Sequence, residues 1–166
     1  FLRTLTQTLE ASGVAVTVRF PSFFDGYNNR YQYDDTAIGA DAVLEVRHIA
    51  AMAHTSDRYY PTIGASYRLL AKDRRVLTDG VVGSSDPGQV LSWAEVHPFG
   101  SLALSAIQRQ HRSTRTKPHL LPLTSAQIVV GDSDKFHANA SSMYQALLDI
   151  NDSVAKRVAK ETLIKT

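Results

Sequence analysis

The spacing of apolar positions changes period several times along the chain, and each change marks an element. Leu2, Leu5 and Leu9 recur at helical intervals and Ser12-Gly13 offers a left-handed stop, so a helix is predicted over residues 1–12. Val14, Val16, Val18 and Phe20 then alternate with Ala15, Thr17 and Arg19, the period-2 signature of a strand with one buried face, which Pro21 ends. Pro21 to Ile38 is rich in aromatic and turn-forming residues without sustained periodicity and reads as a long loop. Alternation resumes at Ala42, Leu44 and Val46, with Glu45 and Arg47 on an outer, solvated face, and predicts a strand running on to Met52. Tyr59 to Ala71 repeats the pattern through Ile63, Ala65, Tyr67 and Leu69; the polar Lys72-Asp73-Arg74 turn then leads into Val76 to Val82. So short a turn makes the flanking strands antiparallel, and the segment 42–83 reads as a three-strand meander.

Beyond the turn cluster Ser84 to Gly88, the signal shortens. Val90, Leu91 and Trp93 begin a short helix that His97-Pro98 interrupts, and Leu102 to Ile107 forms a second. Ser113 to Pro122 is expected as a mobile internal loop. The last helix is the clearest: Met143, Leu147, Ile150, Val154 and Val158 follow at spacings of four, three, four and four, with Asn139 or Ser141 available as cap. The fold class that follows is α+β. Three or four strands form a largely antiparallel or mixed sheet, and the helices of residues 1–12 and 140–163 pack on its apolar face as one domain spanning 1–166.

Composition agrees with a folded chain and narrows little else. The 166 residues are 43% hydrophobic and 20% charged, a balance that supports one core and excludes disorder throughout. A formal charge of +2 attracts nucleic acid or anionic membrane only through a local patch. The absence of cysteine excludes disulfides, thiolate nucleophiles and sulfur-based zinc sites. No apolar run approaches the roughly 20 residues that cross a bilayer. The chain opens on Phe1 and not on Met, from which a processed amino terminus is expected, with a signal peptide or lipid-attachment cysteine upstream.

Candidate chemistry is sparse. Neither phosphate-binding glycine motif occurs, and Ser66, preceded by Gly64 and followed by Arg68, does not fit a nucleophile elbow. Histidines at 48, 54, 97, 111, 119 and 137 include no i, i+4 pair, so no metal and no cofactor is expected. Asp132 and Asp134 imitate the start of a calcium loop but lack its glycine and distal glutamate, and helix capping accounts for them better. Asn139-Ala-Ser141 and Asn151-Asp-Ser153 match the glycosylation sequon, a short motif with little weight by itself. Two surface regions stand out. Tyr27, Tyr31 and Tyr33 in the aromatic loop offer large contact area to a protein partner. Arg109, Arg112, Arg115 and Lys117 form an anion-attracting stretch within residues 96–131, which contain no acidic side chain. That stretch lacks the interleaved aromatics of a nucleic-acid site, so no nucleic-acid partner is expected.

The runs Gly39-Ala40-Asp41-Ala42-Val43-Leu44-Glu45-Val46, Tyr60-Pro61-Thr62-Ile63, Tyr67-Arg68-Leu69-Leu70 and Val76-Leu77-Thr78-Asp79-Gly80 resemble those of bacterial envelope lipoproteins, over residues 1–90. The wider relatives of that group are periplasmic α/β domains of the curli-secretion and Tol-system type. The resemblance implies a periplasmic domain tethered to the membrane by an upstream lipidated cysteine, which binds another envelope protein instead of catalysing a reaction. The alternative from the residues themselves is an enzyme with a dispersed site drawn from Asp34, Asp35, His48 and His54, since acid/base chemistry needs proximity in space and not in sequence.

Overall fold

A computed structural model of the chain describes residues 1–20, 23–25, 30–32, 39–54, 58–84, 119–124, 127–131 and 136–163. Helix α1 (Leu2–Ala11) is closed by a Schellman turn. Gly13 takes φ +86°, its N–H donates to the Glu10 carbonyl (2.9 Å), and the Val14 N–H reaches the Leu9 carbonyl (3.2 Å). Strands β1 (Phe23–Asp25) and β2 (Arg30–Gln32) pair antiparallel as a small separate ribbon. The main sheet contains β3 (Ala42–His54), β4 (Arg58–Ala71), β5 (Val76–Gly83) and β6 (His119–Leu120) in that spatial order, and β7 (Val129–Val130) pairs with the start of β4. Helix α2 (Phe136–Leu163) completes the described fold.

The sheet is mixed: β3, β4 and β5 form an antiparallel meander, while β6 joins β5 in parallel through Val82 opposite His119 and Gly83 opposite Leu120. The α+β expectation therefore holds, with amino- and carboxy-terminal helices on one face. Period 2 along β4 and period 3.6 along α2 meet in a single core, where Ile63, Ala65, Tyr67 and Val82 pack with Ile150, Val154, Val158 and, from α1, Leu5 and Leu9. Helix α2 lies chiefly along β4, while α1 rests mainly on α2 and is tied to it by the Thr4 hydroxyl, which donates to Asp152 Oδ1 (2.5 Å).

The β4–β5 hairpin turns where the polar triplet predicts. Asp73 Oδ1 accepts from the Arg75 N–H (3.0 Å), and Arg74 adopts φ 65°, the left-handed position that a tight turn imposes. At the other end, Pro61 sits in a strand with neighbours on both sides. In an antiparallel strand the N–H and C=O of one residue point to the same edge, and Pro61 and Ile63 both turn theirs toward β5. That strand has ended, and Ser84 takes its place: the Ile63 N–H donates to Ser84 Oγ (2.8 Å), whose hydroxyl donates to the Pro61 carbonyl (3.0 Å), while the Ser84 N–H reaches the Ile63 carbonyl (2.9 Å). The missing N–H of Pro61 thus falls beyond the ladder, where it costs no strand bond.

Three expectations are corrected. Val14 to Phe20 is no strand: among the described residues it has no ladder partner, since only Val16 packs against the core while Val14 and Val18 stay exposed and Phe20 is 81% exposed. Its alternation reflects one anchoring contact and not a buried face. Within the segment read as a loop, β1 and β2 form a short hairpin with Phe24 opposite Tyr31. The outer face of the meander is also less solvated than its charges suggest, because Val81 is only 6% exposed and the Glu45 side chain 14%. The helices predicted near 90–97 and at 102–107, and the loop read over 113–118, lie outside the described residues.

Candidate functional site

The densest group of polar side chains among those described lies where α2 crosses the sheet. Tyr67 stands on the core face of β4 opposite Gly80 of β5, and without a side chain at Gly80 the ring lies flat over the strand and reaches the helix. Its hydroxyl donates to Glu161 Oε2 (2.6 Å). The other oxygen, Oε1, accepts from Arg157 Nε (2.6 Å), a pair one helical turn apart. Arg157 Nη2 in turn lies 3.1 Å from Nδ1 of His119, at the start of β6. Arginine has only donors, so this contact is a hydrogen bond when Nδ1 carries no proton. A protonated Nδ1 would instead face Glu161 Oε1 at 3.6 Å.

The electrostatics of this cluster fix its chemical capacity. Burial raises the Tyr67 phenol well above its ordinary pKa, and its hydrogen bond to Glu161, with the negative charges of Glu161 and Asp79, raises it further against the opposing pull of Arg157. Tyr67 is therefore a proton donor at neutral pH. Both carboxylate oxygens of Glu161 are engaged by donors. The arrangement clamps helix, meander and the parallel strand together, and its carboxylate is committed to that role. Sequence reading missed it because the Tyr67–Glu161 and Arg157–His119 contacts join residues 94 and 38 positions apart. The one legible signal was the i, i+4 spacing of Arg157 and Glu161.

A second, smaller group sits at the other end of α2. The His48 ring stacks on Phe1 with centroids 4.4 Å apart, and its Nε2 lies 2.7 Å from Asn151 Oδ1, which makes Nε2 the donor. His48 retains some solvent exposure, but cover on one ring face lowers its pKa, and the bond to Asn151 offsets this only in part. This group is all that the structure shows of the dispersed His/Asp site. His54 ends β3 opposite Tyr59, and Asp34 and Asp35 lie outside the described residues. Among the described residues no three His, Asp or Glu side chains are placed to hold a metal ion, and no helix is long and apolar enough to cross a membrane. Both sequon asparagines have structural positions: Asn151 accepts from His48, and the Asn139 amide fills the space beside Gly131 that a Cβ there would need.

Of the predicted interface residues, Tyr31 is the middle residue of β2, whereas Tyr27 and Tyr33 lie outside the described residues, as do Arg109, Arg112, Arg115 and Lys117. A feature the sequence misassigned lies next to them. Val14, Val18 and Phe20 form an exposed apolar row that runs from the end of α1 toward the β1–β2 ribbon. A scan against protein-family models and searches of curated proteins and solved structures found no match to this chain.

Proposed function

We propose that the chain is a non-catalytic binding domain of the bacterial envelope, periplasmic and tethered by lipid, whose partner is another envelope protein. The observation that carries the binding part is the exposure of Phe20, at 81%, on the segment that enters the aromatic ribbon containing Tyr31. An exposed phenylalanine with Val14 and Val18 beside it is an anchor of the kind that dominates protein interfaces. The envelope part rests on the strand motifs of residues 39–80 that resemble envelope lipoproteins. The engaged carboxylate of Glu161 favours binding over catalysis at the polar cluster, because a general base needs a free lone pair at the reacting proton.

Affinity capture from envelope extracts tests this reading with wild type and Phe20→Ser, matched for fold by circular dichroism. Recovery of one envelope protein by the wild type, with at least tenfold less by the variant, is expected. Equal recovery by both, or none by either, would overturn it.

A further inference from the structure

The sheet has a long outer strand whose sequence is complementary to itself. Among the described strands β3 pairs only with β4, so the other edge of a 13-residue strand presents backbone donors and acceptors along its length. Natural edges are usually blunted by proline, lysine or a bulge. The stretch 42–50 contains no Pro, no Lys and no Gly, and its pairing with β4 runs through it without a register break.

We infer that this edge joins β3 of a second copy of the chain, antiparallel and with Val46 on the twofold axis. Charge selects the register. Centred on Val46, Glu45 of each copy stands opposite Arg47 of the other, Val43 opposite Ile49, and Ala42 opposite Ala50. Centring on Glu45 would oppose two glutamates, centring on Arg47 would oppose two arginines, and centring on His48 would leave both charges facing apolar residues. Like charges directly opposite destabilise a strand pair and unlike charges support it.

The charges within one copy extend the same pattern. Register across the sheet places Asp79, Arg68 and Glu45 abreast on β5, β4 and β3, with the Arg68 guanidinium 4.0 Å from the Glu45 carboxylate. Arg47 of the second copy adds the next positive charge to this row of alternating sign. The twofold generates the same row again, so one contact forms two Glu45–Arg47 pairs and a continuous sheet with both helical layers on one side.

Sedimentation of the full chain over a range of concentrations tests the inference, with the single variants Glu45→Arg and Arg47→Glu, their double combination and an equimolar mixture of the two singles. The wild type is expected to dimerise. Each single variant opposes like charges twice and should weaken dimerisation at least about tenfold. The double variant restores opposite charges, and so does the mixture, in which the paired arginines of the Glu45→Arg chain meet the paired glutamates of the Arg47→Glu chain. A variant-free measurement accompanies these: amide exchange over residues 42–50 of the wild type should slow as concentration rises from about 5 to about 200 μM. A wild type that stays monomeric with unchanged exchange, singles that dimerise like the wild type, or folded singles that stay apart on mixing would each overturn the inference.

Discussion

Gly80 stands directly opposite Tyr67 across the β4–β5 ladder, and the phenol occupies the room a side chain there would take: a Cβ built on Gly80 would lie 2.5 Å from the Tyr67 hydroxyl oxygen and 2.8 Å from the carbon that bears it. The glycine is thus the condition for the Tyr67–Glu161 bond. Gly80→Ala should destabilise the fold by about 1–3 kcal/mol through overpacking, although alanine is ordinarily the better strand residue. Chemical unfolding of Gly80→Ala, Tyr67→Ala and the double variant checks this. The double variant should lose less than the sum of the singles, because the clash has no ring to act on.

Ser84 closes the ladder where β5 ends, and its hydroxyl serves two buried backbone groups at once, the Ile63 N–H and the Pro61 carbonyl. Ser84→Ala leaves both without that partner and should cost about 1–3 kcal/mol, read from the denaturant midpoint. Ser84→Thr keeps the hydroxyl, so the two variants separate loss of the bonds from disturbance of packing.

The stripe on α2 divides the helix sharply. Val154 is fully buried in the core whereas Tyr144 is 63% exposed. Val154→Ala should therefore cost roughly 1–3 kcal/mol, and Tyr144→Ala should stay within about 0.5 kcal/mol. Thermal or denaturant unfolding of the two variants gives the comparison.

His48 supplies a pH dependence whose sign follows from its lowered pKa. The unfolded chain titrates this group near 6.5 and the folded chain below it, so between the two values the unfolded state holds more protons. Stability from this residue is complete above about pH 7.5 and is lost as pH falls through the mid-6 range. His48→Gln removes that loss, so the difference in stability between wild type and variant should change between about pH 7.5 and 5.5. Denaturant titrations at several pH values in that range measure it.

These residues also show why some of the fold was legible in sequence and some was not. The stripe Met143, Ile150, Val154, Val158 and the hairpin through Lys72-Asp73-Arg74 were readable because each depends on local periodicity or turn chemistry, and burial follows directly. Val14 to Phe20 carries the same alternation, yet a strand also needs a ladder partner, and periodicity does not report one. The polar cluster depends on register: Tyr67 meets Gly80 only once the hairpin is aligned, and His119 reaches Arg157 only once β6 lies beside β5. The exposed position of Phe20 was hidden for the same reason, since its apolar character predicted burial.

That exposed phenylalanine gives the most direct test of the binding reading. A photoreactive phenylalanine analogue placed at Phe20 in the full-length protein, in intact cells of the native host, reports whatever touches that position, with Tyr144 as an equally accessible control on α2. The predicted result is one discrete crosslink to an envelope protein from position 20 and none of the same mobility from position 144. No crosslink from position 20, or the same pattern from both positions, would contradict it.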